Sequence, residues 1–223
     1  MKQTSVRLVR GDSGQIEVLI DEPDLPQSTS PKGLALIAHP HPLYGGTNEN
    51  KVVQTLARAF SQLGYICWRP NFRGVGKSEG EFNEGQGESK DLMIALETAQ
   101  RELADRGIKA PAILAGFSFG SFVQTIVAKE LERAHDNQTG LAYERLVLVG
   151  PATTRFAVQP VRSDTIVIHG EKDEVVPLVN VLEWARPQNL PITVVPDSDH
   201  FFNRKLTSIK QIVLSAWGEK FAG

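Results

Sequence analysis

A serine flanked by two glycines lies between two apolar segments of the chain. Residues 113–122 read ILAGFSFGSF, with Ser118 at the centre of a Gly-x-Ser-x-Gly sequence. A strand that turns sharply into a helix leaves no room for side chains beside the turn, and Gly116 and Gly120 meet that need. Such a turn raises the hydroxyl above the sheet, next to the N–H groups of a helix N-terminus. The pattern favours a nucleophilic Ser118 over a chance Gly-x-Ser-x-Gly match.

A serine nucleophile requires a histidine that takes its proton. Three histidines follow Ser118 along the chain, and their surroundings differ. His135 lies at a polar helix end, and His169 ends an apolar strand-like run. His200 lies between the last predicted strand and the last predicted helix, where a fold with such a strand–turn–helix is expected to place the base. The sequence therefore predicts His200 as the base.

A carboxylate must orient the histidine ring. The segment EKDEVVP (171–177) follows a predicted strand and holds three carboxylates, of which Asp173 is the best placed. Asp197 and Asp199 are alternatives, but they lie too near His200 in sequence to reach around its ring, and they are typical of turns. The predicted chain order is therefore serine, aspartate, histidine, with Asp173 as the acid.

Strand-like and helix-like segments alternate along most of the chain. Hydrophobic periodicity predicts strands at 4–10, 15–21, 33–39, 65–70, 111–116, 145–150, 165–170 and 190–196. It predicts helices at 50–63, 88–106, 119–134, about 176–186 and Leu206–Trp217. An antiparallel pair followed by β–α alternation indicates an α/β fold with a mostly parallel sheet. The length suits one domain, residues 1–223.

Several segments together resemble the α/β-hydrolase superfamily: GFSFG, HGEKDEVVP, SDHFF and RPNFRGVGKSEG. HPHPLYGGTNENKVV (39–53) is similar to a capless, esterase-like group related to dienelactone hydrolases. The resemblance implies an α/β-hydrolase fold with helices on both faces of the sheet and no cap domain. It implies a cofactor-free serine esterase acting on small esters or thioesters. Dienelactone hydrolases proper use a cysteine nucleophile, and Ser118 departs from that pattern.

Two backbone amides are expected to stabilise the oxyanion of the reaction. One is the N–H of Phe119, directly after the nucleophile, and the other comes from the loop after the third predicted strand. Pro40 and Pro42 have no N–H. The remaining amides of that loop are those of His41, Leu43 and Tyr44. Resemblance to the family favours Leu43 and, after it, Tyr44.

The segment that could carry a cap is short. Only PATTRFAVQPVRSD (151–164) separates two predicted strands, and fourteen residues with two prolines cannot form a lid. An open site rimmed by aromatic side chains is expected. The candidates for substrate binding are Tyr44, Phe72, Phe156, Phe201 and Phe202. An open site offers little surface to a long acyl chain, so we predict a preference for short ones.

Composition disfavours several classes of partner. Lys and Arg number 24 against 26 Asp and Glu, and no basic block indicates nucleic acid or an anionic membrane surface. A single cysteine, Cys67, excludes an internal disulfide and fits a reducing compartment. The start of the sequence has no apolar leader pattern, and no apolar run reaches the ~18–20 residues of a membrane span. A cytoplasmic protein with a small-molecule ester substrate is expected, its oligomeric state open.

Two further motifs resemble ligand sites only superficially. His39 and His41 are two residues apart with no third ligand nearby, a pattern that rarely binds zinc. GVGKS (74–78) resembles the end of a phosphate-binding loop, but Asn71 stands where that motif requires glycine. No metal or cofactor is therefore expected.

Two alternatives to an esterase remain at this point. The same three residues would serve an acyltransferase or a small-peptide hydrolase. A non-catalytic binding protein could also keep the fold, although such a protein has no need of Ser118, Asp173 and His200 together.

Overall fold

A mixed sheet runs through the part of the chain that the structure, a computed structural model, describes: residues 3–26, 29–136 and 142–218. Its strands are β1 (Gln3–Gly11), β2 (Gly14–Glu22), β3 (Gly33–Ala38), β4 (Tyr65–Pro70), β5 (Ala112–Phe117), β6 (Tyr143–Val149), β7 (Ile166–Gly170) and β8 (Ile192–Val195). Their order across the sheet is β1-β2-β4-β3-β5-β6-β7-β8. The predicted domain of residues 1–223 also includes short segments outside the described residues.

Only the N-terminal strands are antiparallel to their neighbours. β1 pairs with β2 from Gln3↔Glu22 to Gly11↔Gly14, and β2 pairs antiparallel with β4. From β4 to β8 every neighbouring pair is parallel. This confirms the predicted mostly parallel sheet with an antiparallel N-terminal pair. The carboxyl ends of the parallel strands meet at one edge, where open α/β sheets place their ligands.

Helices cover both faces of the sheet. They are α1 (Lys51–Gln62), α2 (Gln86–Asp105), α3 (Phe119–Asp136), α4 (Leu178–Ala185) and α5 (Leu206–Ala216). Successive strand residues point to opposite faces, so in β3 Leu34, Leu36 and Ala38 join the core under α2 and α3. Ala35 and Ile37 join the core under α1 and α5. Burial on both faces explains why β3 is apolar throughout.

The single cysteine belongs to this core. Cys67 is fully buried in β4, and its thiol donates to the carbonyl oxygen of Ala57 at 3.4 Å. Burial raises the pKa of the Cys67 thiol to about 12, so the thiol stays protonated at neutral pH. Cys67 therefore packs in the core as a small apolar side chain.

The segment between β6 and β7 is a loop. Residues 150–165 form turns and bends without a helix. No cap domain covers the sheet edge here, as the length of the segment predicts. None of the helices in the described ranges has the length and apolar character that a membrane span requires.

Candidate active site

The turn from β5 into α3 holds Ser118 in a strained backbone conformation. Its φ is +55°, in the left-handed region. Any residue other than glycine adopts this conformation only at a cost in free energy. A Cβ on Gly116 would lie 2.4 Å from the carbonyl oxygen of Gly120, and one on Gly120 would lie 2.4 Å from that of Ala38. Both positions therefore exclude side chains, as the sequence predicts for a tight strand-to-helix turn.

Three side chains from distant parts of the chain form a hydrogen-bonded series. Nε2 of His200 lies 3.0 Å from Oγ of Ser118. Nδ1 of the same ring lies 2.7 Å from Oδ2 of Asp173. All three residues are buried. The structure thus brings together the serine, histidine and aspartate that the sequence predicts, in the geometry that lets an imidazole take a hydroxyl proton.

The loop after β7 fixes the carboxylate. Oδ1 of Asp173 accepts the backbone N–H groups of Val175 and Val176 at 2.9 and 2.7 Å. His169, whose ring is fully buried, places Nε2 2.9 Å from the carbonyl oxygen of Val176 and 3.6 Å from Oδ2 of Asp173. Burial lowers the pKa of His169, so this ring is a neutral donor that braces the loop.

The alternative residues contact other groups. Oδ1 of Asp197 pairs with Nζ of Lys172 at 2.5 Å. Asp199 accepts the backbone and side-chain amides of Asn203 at 3.0 and 2.7 Å, and these bonds lower the pKa of its carboxyl group. The Asp197 carboxylate thus links two loops, and that of Asp199 stabilises a turn. The side chain of His135 lies outside the described residues.

His39 shapes the loop after β3. Its Nδ1–H donates to the carbonyl oxygen of Pro40 at 2.7 Å, and Nε2 accepts the N–H of Phe72 at 2.9 Å. Burial lowers the pKa of His39 to about 4, so the ring is neutral. Both ring nitrogens are occupied. Across the described ranges, no three His, Cys, Asp or Glu side chains are grouped as metal ligands would be.

Two amides near Ser118 are free to donate. No acceptor for the N–H of Phe119 or of His41 is found in the described part of the chain. The N–H of Leu43 points to Nδ1 of His41 at 3.3 Å, and that of Tyr44 to the carbonyl oxygen of His41 at 3.2 Å. Phe119 therefore offers a free donor directly after Ser118, whereas the Leu43 amide would first have to leave the His41 ring.

A cavity of about 400 Å³ opens beside the serine. Its lining comprises Pro40, His41, Tyr44, Gly45, Gly46, Asn50, Ser118, Phe119, Ala152, Thr154, Arg155, Phe156, Val175, Val176, His200 and Phe201. Tyr44 and Phe201 are 72% and 52% exposed, so they form the rim, and Phe156 is half-buried. These three aromatic residues lie where a substrate would contact them.

Two of the aromatic candidates lie in the core. Phe72 is 1% exposed, and its ring packs on His39 and Phe119 with centroids 4.4 and 5.5 Å away. Phe202 is fully buried in the core under α1 and α5. The expectation that Phe72 binds substrate is wrong, because its ring is buried against His39 of the loop after β3 and against Phe119. Phe202 likewise has no face toward the cavity.

The cavity wall also holds polar residues that no motif of the sequence indicates. Asn50, Thr154 and Arg155 all line it. Asn50 caps α1, since its Oδ1 accepts the N–H of Val52 at 2.9 Å. Arg155 lies in the loop after β6, and a single arginine in a loop carries no sequence signal for a site.

Comparisons with known proteins show which family the chain belongs to. The family model described as serine aminopeptidase, S33, matches residues 29–161, more than half of the chain. An uncharacterized protein of Rickettsia prowazekii is 33% identical over 196 residues, which cover 84% of this chain and 79% of that protein.

Solved structures extend the match to nearly the whole chain. An α/β serine hydrolase without a lid from Xanthomonas campestris has a TM-score of 0.81 and 32% identity, covering 97% of this chain and 94% of its own. An α/β serine hydrolase homologue from Coxiella burnetii has a TM-score of 0.81 and 31% identity, covering 98% and 99%. The chain belongs to the serine aminopeptidase S33 family of the α/β-hydrolase superfamily.

Proposed function

We propose that this protein is a serine esterase that hydrolyses small carboxylic esters or thioesters through Ser118, His200 and Asp173. The observation that carries the proposal is the hydrogen-bonded series of these side chains at the wall of an open cavity. Membership of a serine hydrolase family supports the class of chemistry.

The first half of the reaction forms an acyl-enzyme. Oγ of Ser118 attacks the ester carbonyl carbon while its proton passes to Nε2 of His200. Asp173 stays ionised and holds the Nδ1–H of the imidazolium. The oxyanion accepts hydrogen bonds from the N–H of Phe119 and from one amide of the loop after β3, that of Leu43 or His41. The C–O bond to the alcohol then breaks, and His200 gives its proton to the departing oxygen.

Water completes the reaction. A water molecule loses a proton to Nε2 of His200 and attacks the acyl carbon. The bond to Oγ breaks, the proton returns to Ser118, and the carboxylic acid leaves. Each proton transfer in the two halves of the reaction passes through Nε2 of His200.

The test is hydrolysis of ethyl acetate and p-nitrophenyl acetate by the full chain. Ser118→Ala should lower kcat by ~10⁴-fold or more, because the three side chains act as a unit. Ser5→Ala, a change on the exposed edge of β1, is the matched control and should leave kcat unchanged. Equal activity in wild type and Ser118→Ala would contradict the proposal.

Hydrolysis of small peptides is a second candidate, favoured by the description of the matching family. An aminopeptidase needs a carboxylate for the substrate ammonium group, but none of the described residues that line the cavity is acidic. The esterase is therefore the better supported activity. Amino-acid p-nitroanilides distinguish the two: turnover of them comparable to that of p-nitrophenyl acetate would favour the peptidase.

A further inference from the structure

Arg155 lies at the wall of the cavity that holds the serine. It belongs to the loop between β6 and β7 and lines the same cavity as Ser118 and His200. Its Nη1–H donates to the hydroxyl oxygen of Tyr44 at 3.0 Å, and its guanidinium lies 5.6 Å from the centroid of that ring. These two contacts hold a side chain that is otherwise exposed.

The positive charge of Arg155 has no acidic partner within the described ranges. Two buried arginines of the same sheet edge differ from it: Arg69 pairs with Asp21 and Arg73 with Asp91. A guanidinium has five N–H donors, and the bond to Tyr44 uses one of them. The remaining donors are available to a ligand.

The electrostatic effect of this charge extends into the cavity. Burial and, after it, the charge of Arg155 lower the pKa of His41, which lines the same cavity. No Asp or Glu is found in the described lining. The cavity therefore combines one guanidinium with a described lining that holds no carboxylate, which favours an anionic ligand.

We propose that Arg155 binds a carboxylate at the non-reacting end of the substrate, which makes the protein an esterase for short anionic esters. The inference rests on the proposed esterase function. A guanidinium binds a carboxylate through two parallel N–H···O bonds, which fix orientation as well as affinity. The carboxylate can belong to the acyl part, as in half-esters of dicarboxylic acids, or to the alcohol part.

Matched pairs of esters test the inference and distinguish these two sources. Monoethyl succinate against diethyl succinate places the charge on the acyl side. O-acetylglycolate against its ethyl ester places it on the alcohol side. For each pair, the measured quantity is the ratio of kcat/KM for the anionic ester to kcat/KM for the neutral ester. In the pair whose charge reaches Arg155, this ratio should be roughly 10- to 100-fold lower in Arg155→Gln than in the wild type.

The control variant is Arg101→Gln, which removes an exposed arginine from α2. It should leave the ratio unchanged. Arg155→Lys should keep part of the preference, since the charge remains and the paired donors are lost. The preference of the wild type should weaken with added salt, because Arg155 is exposed.

Binding to a variant that cannot turn over separates the two proposals. Calorimetry with Ser118→Ala should give a lower Kd for the anionic member of one pair, and Ser118→Ala/Arg155→Gln should lose that difference. An equal ratio of kcat/KM in wild type and Arg155→Gln for both pairs would overturn the inference and leave the esterase intact. If no ester is hydrolysed, the esterase proposal fails, and calorimetry still decides whether Arg155 selects an anion.

Discussion

At the scale of single residues, the candidate site depends on side chains that hydrogen bonds from neighbouring residues hold in one orientation. Asp173 accepts two backbone N–H groups and faces the His200 ring. The predicted roles of these two residues follow from their order along the chain. The role of Phe72 could not be predicted in the same way, because a sequence does not say which way a ring after a strand turns. Arg155 was missed because a single exposed arginine has no periodic pattern.

The first prediction concerns the acid. Asp173→Asn should lower kcat by roughly 10³- to 10⁴-fold with the fold intact, since an amide cannot hold His200 in the required tautomer. Steady-state kinetics and circular dichroism measure the two effects. Asp199→Asn, which alters the contacts of that carboxylate with Asn203 and with the amides of Phe201 and Phe202, is the matched control. A larger loss of kcat from Asp199→Asn than from Asp173→Asn would reverse the assignment.

The second prediction concerns His39. Burial lowers its pKa to about 4 in the folded protein, against about 6.5 in an unfolded chain. Between those values the unfolded state binds the additional proton, so the free energy of unfolding falls as pH decreases from 6.5 to 4. The contribution of His39 to this loss is about 3 kcal/mol. Imidazole NMR resonances and urea unfolding at several pH values measure it. Titration of His39 near pH 6.5 would show that the ring is not held neutral.

At the scale of elements, the strand–turn–helix of β5 and α3 positions the proposed nucleophile, Ser118. Every predicted strand and helix is present, with ends within two residues of those observed. Long apolar periods make such elements predictable, and loops lack them. The loop after β3 shows how far the sequence predicts a site. Its two prolines can be excluded as oxyanion donors from the sequence, but only the structure shows that the Leu43 amide already has an acceptor.

The third prediction tests this turn. Gly120→Ala would place a methyl group 2.4 Å from the carbonyl oxygen of Ala38, so α3 must move away from β3 and carry Ser118 with it. Activity should fall more than 100-fold, and the free energy of unfolding should fall by roughly 3 kcal/mol. Gly107→Ala is the control: it has a positive φ but open space around the Cβ position, so it should cost about 1 kcal/mol without a change in kcat. Equal losses from both variants would show that the close contact at Gly120 is unimportant.

At the scale of the whole molecule, the absence of a cap in the described loop between β6 and β7 leaves the cavity open. The rim consists of side chains such as Tyr44 and Phe201, which are largely exposed. A long acyl chain would contact little apolar surface here, and each CH₂ that is buried contributes only ~0.8 kcal/mol to the free energy of binding. The length of residues 151–164 alone predicts this architecture. The chemistry of the rim depends on the folded arrangement of separate loops and could not be predicted from the sequence.

The fourth prediction follows from the open cavity. Across p-nitrophenyl esters from acetate to palmitate, kcat/KM should fall beyond about six acyl carbons. The rate should not rise abruptly when the ester exceeds its solubility limit, because no lid opens at an interface. The series is measured below and above that limit. Greatest activity on palmitate, or a jump in rate at the interface, would contradict the capless interpretation.

The most direct test of the central claim is covalent labelling with a fluorophosphonate, read by intact mass and peptide mapping. The structure favours one site, because Oγ of Ser118 contacts His200, whereas the buried Ser121 donates to the carbonyl oxygens of Gly116 and Val149. We predict one adduct per chain on Ser118 and none on Ser118→Ala. An adduct on another serine, or an unlabelled wild-type protein, would contradict the assignment of Ser118 as the nucleophile.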